Sequence, residues 1–376
     1  MKITLISPYH GGSHRTWAVG YQQHSRHNVD LLTMPDRYWK WRMHGGAVTL
    51  ARRFMEQPHT PDLLLATDML DLTTFLSLTR RRTATIPTAL YCHENQLTYP
   101  LPTDGSTGAM RRQMGERDQH YAFINYASMM AADIVLFNSD FHRRSFLDAL
   151  PNFLKNFREY NELGSIAMLE AKSKVLPVGL TLGKDSGQTT QLKEAKSPPL
   201  ILWNQRWEYD KNPEAFFDAL FMMVDEGVPF RLALAGQEYG KRPLIFTQAL
   251  DRLAPQIIHV GHAERAEYEA LMAETAVVIS TAHHEFFGIS ILEAIHAGAF
   301  PILPDRLSYP ELIPSPQHQP CLYTNRDGLL ERLRWALTHD AERTAVVHQL
   351  RPAIEQYDWG NVAPQYDAVF QQLSAL

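Results

Sequence analysis

Cysteine is scarce in this sequence, and long apolar runs are missing. The two cysteines, Cys92 and Cys321, lie far apart, so they form no disulfide framework and suit a reducing compartment. No apolar stretch reaches the ~18 residues that cross a bilayer, so no membrane span is expected. The N-terminus has no apolar segment followed by a cleavage site, and secretion is not expected. These absences favour a cytoplasmic protein.

A strong charge of one sign is also missing. The net charge of −5 over 376 residues gives no overall attraction to nucleic acid. The charge is unevenly distributed, because the first 180 residues carry 20 Lys and Arg against 16 Asp and Glu, whereas the remainder carries 16 against 25. The first half could therefore bind a polyanion, although most such charges belong to solvated helix faces.

The chain shows no internal repeats, and its length is sufficient for two domains. Short apolar runs alternate with longer amphipathic segments, which predicts an α/β fold with two parallel sheets covered by helices. We expect a first domain over residues 1–182 and a second over 200–356. Residues 183–199 are polar and read as the linker between them. Residues 357–376 are predicted to form an amphipathic helix that crosses back to the first domain.

The apolar runs also give the positions of the strands. In the first domain, strands are predicted at residues 3–7, 29–33, 63–66, 88–92 and 134–137. In the second domain, they are predicted at residues 200–203, 231–235, 257–259, 276–280, 300–303 and 321–323. Ligands of parallel sheets bind beyond the carboxyl ends of the strands, so the residues just after these runs matter most for function.

Polar or flexible residues follow several strands of the first domain. Gly11 and Gly12 come after the first strand, where they would let a ligand approach the backbone, and Ser13 could cap the next helix. An ordinary tight turn explains the same residues. The segment 93–96, His-Glu-Asn-Gln, follows the fourth strand, and such a polar cluster indicates a site because a buried one would need every group paired. Asn138, after the fifth strand, could face the same ligand.

Two cations follow the first strand of the second domain. Arg206 and Lys211 could both reach the strand ends, and Pro213 suits the first turn of a helix. Two cations beside helix amides would clamp a departing diphosphate. The alternative is a surface ion pair of Arg206 with Glu208 or Asp210.

The segment 280–304 contains two glutamates eight residues apart. Gly288 lies between Glu285 and Glu293, at the point where a helix should begin. The first amides of such a helix attract a diphosphate, and ionised carboxylates would accept hydrogen bonds from sugar hydroxyls. The same spacing occurs by chance in many helices, and the apolar residues around it could simply be core.

Two further groups of residues have more than one interpretation. His10 with His14, or the run 283–285 (His-His-Glu), could be metal ligands, but their spacing is weak and we expect no metal site. The aromatic and basic run 38–42, Tyr-Trp-Lys-Trp-Arg, suits stacking on an unpaired base or contact with phosphate. It could instead pack its tryptophans in the core or direct an amphipathic helix to a membrane.

Taken in order, these features resemble the GT-B glycosyltransferases of the retaining, glycogen-synthase-like branch. The segments GGSH, CHENQLTYP, FNS, RWEYDKNPE, STAHHEFFGIS and YPEL, together with the aromatic and basic run 38–42, are similar to those of the tRNA-queuosine mannosyltransferase family. The resemblance implies two Rossmann-like domains that face a central cleft. It also implies transfer of mannose from GDP-mannose to the queuosine base of a tRNA anticodon. The expected partners are this nucleotide sugar and tRNA, with no further cofactor, and the expected state is a monomer or weak oligomer.

The resemblance assigns the donor-binding residues mainly to the second domain. Glu293 should bind the donor ribose, while Arg206 and Lys211 should neutralise the leaving GDP. Val260 or the adjacent Gly261 should lie near the base. The donor sugar and diphosphate should be held by Glu285 and by the backbone of Phe287, Gly288, Ile289 and Ser290.

In the first domain, the resemblance implies that Gly11 and Gly12 contact the donor, with Gly12 closing over it. His93, together with Glu94 and Asn95, should lie nearest the reacting hydroxyl. The implied mechanism retains the anomeric configuration without a covalent intermediate, because the leaving phosphate accepts the proton of the acceptor hydroxyl.

Two other functions remain open from the residues. The same fold could glycosylate a lipid or a polysaccharide. It could also serve as a tRNA- or nucleotide-binding module without catalysis. The presence of Arg206, Lys211, Glu285 and Glu293 argues against the module, because binding alone would not need all four.

Overall fold

The computed structural model describes residues 1–100, 108–183, 198–236 and 243–375, and only the backbone of residues 108–118. The predicted linker, 183–199, lies almost entirely outside the described residues. The chain divides into two compact units: unit 1 comprises Met1–Thr181 with Tyr357–Leu376, and unit 2 comprises Leu182–Gln356. Within the described part of the chain, no helix is both long and apolar enough to cross a membrane.

Unit 1 is built on a six-stranded sheet in the order β2-β1-β3-β4-β5-β6, and every pair of neighbours is parallel. The neighbouring strands β3, β4 and β5 are fully buried and almost entirely apolar, as a sheet covered on both faces requires. The strands are β1 Lys2–His10, β2 Asn28–Pro35, β3 Leu63–Thr67, β4 Thr88–Cys92, β5 Ile134–Phe137 and β6 Ser173–Val175. The first five match the predicted runs, whereas β6 was missed because this short edge strand is polar and largely exposed.

The helices of unit 1 cover this sheet. They are α1 Gly12–His24, α2 Trp39–Met55, α3 Leu72–Thr83, α4 Gly108–Ala131, α5 Asp140–Leu154 and α6 Ser165–Ala171, with α15 Trp359–Leu373 added from the end of the chain. Asp71 caps α3 by accepting a hydrogen bond from the Thr74 amide. The predicted cap Ser13 is wrong, because α1 already begins at Gly12 and Ser13 lies inside its first turn.

Unit 2 repeats the plan with a parallel sheet in the order β12-β11-β10-β7-β8-β9. Its strands are β7 Leu200–Trp203, β8 Arg231–Leu234, β9 Ile257–Val260, β10 Thr275–Ile279, β11 Phe300–Pro304 and β12 Leu322–Tyr323. Its helices are α7 Pro213–Asp225, α8 Leu244–Arg252, α9 Arg265–Glu274, α10 Ile289–His296, α11 Tyr309–Leu312, α12 His318–Cys321, α13 Arg326–Thr338 and α14 Asp340–Glu355. Because β10 and β7 are neighbours in this order, the loops that follow them start at the same edge of the sheet.

The terminal helix α15 packs on α1, which confirms the predicted return to the first domain. Trp17 donates from its indole N–H to the Tyr366 hydroxyl at 3.0 Å. Tyr21 donates to the carboxylate of Asp367 at 2.9 Å, and the Ser25 hydroxyl donates to the same oxygen at 2.6 Å. Asp367 is only 2% exposed, so these donors are what makes its burial tolerable.

Trp359, the first residue of α15, is 1% exposed and lies between two glycines. A Cβ on Gly20 of α1 would approach the Trp359 Nε1 atom to 2.3 Å, and a Cβ on Gly179 would approach Cδ2 to 2.3 Å. Neither distance is tolerable for a carbon atom, so the indole occupies the space that both glycines leave. The C-terminal helix therefore docks through a contact that only glycine permits.

We predict that Gly20→Ala destabilises unit 1. Alanine in place of glycine normally stabilises a helix interior by about 1 kcal/mol. Here the methyl group would collide with the buried indole, and overpacking of this kind costs about 2 kcal/mol. Unfolding by denaturant, followed by circular dichroism, measures the difference. Gly164→Ala is the control, because its Cβ would meet no atom within 4 Å; a Gly20→Ala protein as stable as this control would contradict the packing.

Candidate functional site

The loop between β10 and α10 contains the first group of predicted site residues. The helix begins at Ile289, directly after Gly288, as expected. Gly288 has a φ of +101°, a left-handed conformation that a side chain would strain. The side chains of Phe286 and Phe287 are buried, so they belong to the core, while the backbone of 287–290 forms the helix start. The first amides of α10 are therefore presented by a turn that needs glycine.

Lys211 and Glu285 form an ion pair beside this helix start. Lys211 is 6% exposed, and its Nζ lies 3.2 Å from Glu285 Oε2 and 2.9 Å from the carbonyl oxygen of His284. Burial acts to raise the pKa of Glu285, but the charge of Lys211 and a hydrogen bond from the Phe287 amide outweigh it and lower the pKa. Glu285 is therefore an ionised acceptor, and Lys211 is held at a fixed position.

The two loops that carry this ion pair are joined by hydrogen bonds. The Asp210 carbonyl accepts from the amides of His283 and His284, and the Thr281 hydroxyl donates to the Lys211 carbonyl at 3.0 Å. Asn212 follows in a left-handed conformation, with a φ of +51°, and its side chain caps α7, which begins at Pro213 as predicted. Lys211 thus owes its position to a left-handed residue and to the neighbouring strand-end loop.

Arg206 forms the ion pair with Glu208 that the sequence left open, with Nη1 3.0 Å from Oε2. Its side chain is 44% exposed, so the guanidinium keeps access to solvent. Asp210 is different from the expected surface acid, because it is 1% exposed and lies 3.4 Å from the Lys211 ammonium. Neither of its carboxylate oxygens has a hydrogen-bond partner among the described residues. A buried anion between the two cations was not expected from the sequence.

Glu293, which the sequence predicted, lies in the second turn of α10. The side chains that form a hydrogen-bond network with it were not predicted from the sequence. Burial raises the pKa of Glu293, against the charge of Arg265 and a hydrogen bond from the Tyr268 hydroxyl. The same hydroxyl accepts from the Asn204 side chain at 3.0 Å, and Asn204 also donates to the Ser290 carbonyl at 2.8 Å. The network connects the ends of β7, α9 and α10. Its members in α9 gave no signal, because they occupy an ordinary amphipathic helix.

Val260 and Gly261 lie at the carboxyl end of β9, the edge strand of the unit 2 sheet. The strands β7 and β8 separate them from β10, which corresponds to ~14 Å at the usual strand spacing. Val260 is 44% exposed, and Gly261 has a φ of +110°. Val260 and Gly261 therefore lie at the same carboxyl end of the sheet as Glu285 and Glu293, but they are not part of the same cluster.

His93, at the end of β4 in unit 1, belongs to a buried polar cluster. Its amide donates to Asp68 Oδ1 at 2.9 Å, and its ring Nδ1 lies 3.4 Å from the same oxygen. Its ring centroid is 4.2 Å from that of His14 and 4.7 Å from that of Trp17. Burial lowers the pKa of His93 to about 3, so the ring is neutral near pH 7. Burial raises the pKa of Asp68 to about 6, although His14 and backbone amides oppose it.

The polar residues around His93 form hydrogen bonds mainly with the backbone or with one another. Asn138 donates to the His93 carbonyl at 2.9 Å, and Asn95 accepts hydrogen bonds from the amides of Leu97 and Thr98 in its own turn. Glu94 is half-buried and accepts from the side chain of Gln96. Asp68 was missed by sequence reasoning, although its place just after β3 is the same kind of signal that singled out His93.

The two glycines after β1 are required for different structural reasons. A Cβ on Gly11 would overlap the Asp36 carboxylate, because it would lie 2.1 Å from the Asp36 Cγ atom. Gly12 is exposed, with a φ of +48° and open space around its Cβ position. Gly11 therefore accommodates a neighbouring side chain, whereas Gly12 supplies a left-handed turn at the start of α1.

Among the described residues, His14, Asp68 and His93 form a group that could hold a metal ion, with ligand atoms within 4.8 Å of one another. Neither ring nitrogen of His93 has a hydrogen-bond partner among the described residues. Of the ligands considered from the sequence, His14 is a member of this group, whereas His10 and the run 283–285 are not. A carboxylate beside a neutral imidazole is equally suited to hydrogen bonds with sugar or acceptor hydroxyls.

Residues 2–180 match the family model of the N-terminal part of tRNA-queuosine alpha-mannosyltransferase, and residues 188–351 match that of the group 1 glycosyl transferases. The tRNA-queuosine alpha-mannosyltransferase of Drosophila melanogaster is 33% identical over 88% of this chain and 85% of its own length. The chain belongs to the tRNA-queuosine alpha-mannosyltransferase family. It is therefore a glycosyltransferase, as the sequence predicts.

More distant relatives agree with this class. GDP-mannose:cellobiosyl-diphosphopolyprenol alpha-mannosyltransferase of Xanthomonas campestris is 25% identical over 52% of this chain and 52% of its own. Sucrose-phosphate synthase of Thermosynechococcus elongatus superposes with a TM-score of 0.72 at 15% identity, covering 100% of this chain and 99% of the other. Anabaena HepE with UDP and glucose gives 0.64 at 15% identity, with complete coverage of both chains. These structures confirm the GT-B fold.

We predict that Lys211→Met strongly destabilises unit 2. The change removes the ammonium that compensates Asp210 and Glu285, and loss of one partner from a buried pair costs about 3–5 kcal/mol. Lys211→Met with Asp210→Asn should recover part of this loss, because the second change removes the orphaned charge. The free energy of unfolding in denaturant is the measurement, and the exposed Lys174→Met is the control. Equal stability of Lys211→Met and the control would show that the pair contributes nothing.

Proposed function

We propose that this protein transfers mannose from GDP-mannose to the queuosine base of tRNA, with retention of the anomeric configuration. The observation that carries the proposal is the Drosophila relative, because its similarity extends over most of both chains. The match of residues 2–180 to the N-terminal model adds support, since that model is named for the queuosine enzymes. We place the reaction in the cytoplasm, where mature tRNA is found.

The donor is proposed to bind at the strand ends of unit 2. The diphosphate would accept hydrogen bonds from the first amides of α10, beside the ammonium of Lys211 and the guanidinium of Arg206. Glu293 would accept hydrogen bonds from the ribose hydroxyls, and Glu285 from a sugar hydroxyl. Mannose and guanine are chosen because the two sequence relatives named above are both mannosyltransferases, and the name of one of them includes GDP-mannose.

The proposed chemistry depends on charge at the leaving group. The bond between the anomeric carbon and the β-phosphate oxygen breaks, and the acceptor oxygen bonds to that carbon on the same face. The phosphate oxygen takes the proton of the acceptor hydroxyl, so the released product is GDP. Lys211 and Arg206 stabilise the negative charge that develops on the diphosphate, which removes the need for a metal ion. The neutral ring of His93 is proposed to position the reacting hydroxyl.

A second candidate is transfer of mannose to a lipid-linked acceptor. The Xanthomonas enzyme, whose name includes a diphosphopolyprenol, supports it over half of the chain. That similarity is weaker and shorter than the similarity to the queuosine enzyme. The two candidates share the donor, so the acceptor assay alone separates them.

We predict a hexose gain on queuosine when the purified protein is incubated with queuosine-containing tRNA and GDP-mannose. Mass analysis of the tRNA nucleosides measures the gain, with UDP-glucose and GDP-glucose as competing donors. Glu285→Gln should lower the rate by about 10²–10³, because it removes a charge that contacts the sugar and positions Lys211. The exposed Glu342→Gln should leave the rate unchanged. Hydrolysis of GDP-mannose without any gain on tRNA, or a gain on a polyprenol diphosphate acceptor, would overturn the tRNA proposal.

We further predict that Tyr268→Phe weakens donor binding and leaves turnover nearly intact. The change keeps the ring and removes the hydroxyl that donates to Glu293, and a hydrogen bond to a charged group contributes about 1.5–3 kcal/mol. The KM for the nucleotide sugar should rise about tenfold, with kcat changed less than twofold. Tyr160→Phe, at a residue 91% exposed, is the control. A fall in kcat with an unchanged KM would place Tyr268 outside the donor site.

A further inference from the structure

The start of α2 presents an aromatic ring on the protein surface in an unusual setting. Trp41 is 62% exposed, although tryptophan is one of the largest apolar side chains. One turn later, a Cβ on Gly45 would lie 2.4 Å from Cζ2 and 2.5 Å from Cε2 of this indole. The ring therefore lies over the glycine, supported by the helix on one side and open to solvent on the other.

The neighbouring Tyr38 has the same character. It is 80% exposed and has a φ of +55°, a left-handed conformation that is rare for a bulky residue. Because the Tyr38 side chain is exposed, burial does not offset the energetic cost of this backbone conformation. Backbone outliers of this kind concentrate at binding sites. The structure therefore contradicts the interpretation that both tryptophans of this run pack in the core, because Trp41 is exposed. Trp39, between Tyr38 and Trp41 in sequence, is half-buried and lies against Tyr121.

Cations alternate with these exposed rings. Arg37 and Lys40 are exposed, and the Lys40 ammonium lies 5.4 Å from the Trp39 ring centroid. We call Arg37, Tyr38, Lys40 and Trp41 the α2 platform. Rings that stack on bases and cations that contact phosphates are the two elements by which proteins bind single-stranded nucleic acid.

A membrane surface fits this helix less well. Of its other exposed apolar residues, Val48 lies two turns after Trp41 and Met55 two turns after Val48, and the charged Arg52 stands between these two. An interfacial helix needs a continuous apolar face, which this spacing does not give. The more basic charge of the first half of the chain favours a polyanion.

We propose that the α2 platform binds tRNA by stacking Tyr38 and Trp41 on unpaired bases while Arg37 and Lys40 contact the adjacent phosphates. The inference rests on the proposed function, since a tRNA acceptor offers unpaired bases in its loops. It adds an RNA-binding surface to a reaction that the site residues alone do not connect to RNA.

Binding of queuosine-containing tRNA, measured by fluorescence anisotropy without a donor, tests the proposal. Trp41→Ala should lower the affinity about tenfold, because one stacked base contributes that much. Trp41→Phe should restore most of it and Trp41→Leu should not, since leucine keeps the apolar contact without the aromatic face. Val48→Ala, on the same helix, should bind as the unchanged protein does. The rate of GDP-mannose hydrolysis without acceptor should be the same in all these variants and reports their folding.

Gly45→Ala provides a test in which stability and binding move in opposite directions. Alanine favours the helix, so the melting temperature should not fall, while the new methyl group displaces the indole and lowers tRNA affinity several-fold. Gly46→Ala is the contrast, because its Cβ would meet Pro8 at 2.9 Å in β1 and should reduce stability instead. Arg37→Gln and Lys40→Gln should each reduce the slope of log affinity against log salt by ~0.7.

Two results would overturn the platform. One is unchanged tRNA affinity in Trp41→Ala, and the other is equal affinity of the leucine and phenylalanine variants. Loss of binding to anionic phospholipid vesicles in Trp41→Ala, with tRNA binding unaffected, would assign the surface to a membrane. Sugar transfer to tRNA with binding that does not depend on Trp41 would overturn the platform alone. Trp41-dependent tRNA binding without any transfer would overturn the proposed reaction and keep the platform.

Discussion

The ion pair of Lys211 with Glu285 is the interaction on which the site of unit 2 depends. A buried ammonium needs a partner and hydrogen bonds, and Lys211 finds them in one carboxylate, one carbonyl and the neighbouring Asp210. These partners come from two loops that follow adjacent strands, so the pair also fixes the loops to each other. The left-handed residues Asn212 and Gly288 stand directly before the first residues of α7 and α10. The buried ion pair, the conformation of the two loops and the starts of the two helices therefore depend on one another.

The fold could be predicted from the sequence because its strands are buried on both faces. Strands such as Leu63–Thr67 and Ile134–Phe137 have no polar face, so each appears in the sequence as a short continuous apolar run. Each of these runs is followed by an amphipathic segment. The edge strand Ser173–Val175 escaped prediction for the opposite reason, since an exposed edge needs no apolar residues. The turn at Gly288 was predictable from its place between a buried strand and a helix. The start of α2 was not, because its exposed aromatic residues carry no helical periodicity.

Members of the two candidate clusters were predictable where they stand in the loop after their own strand, and they were missed where they reach the cluster from elsewhere. His93 follows β4 directly, and Glu285 lies in the short loop after β10. Tyr268 approaches Glu293 from the face of α9, and only the packing of α9 against β7 and α10 brings the two side chains together. The same limit applies to glycines. Gly20 is required by Trp359, a residue from the other end of the chain, so no local pattern identifies it.

The two units supply different electrostatic environments for the proposed reaction. The cluster of unit 1 places a neutral imidazole, whose pKa is lowered to about 3, beside a buried carboxylate. Such groups exchange hydrogen bonds with hydroxyls and add no positive charge of their own. The cluster of unit 2 instead holds the cations of Arg206 and Lys211 in place with the carboxylates of Glu208, Asp210 and Glu285, so two cationic donors are already positioned for the proposed diphosphate. The proposed sugar transfer would use both environments, because charge develops on the leaving group while the acceptor hydroxyl needs position more than acidity.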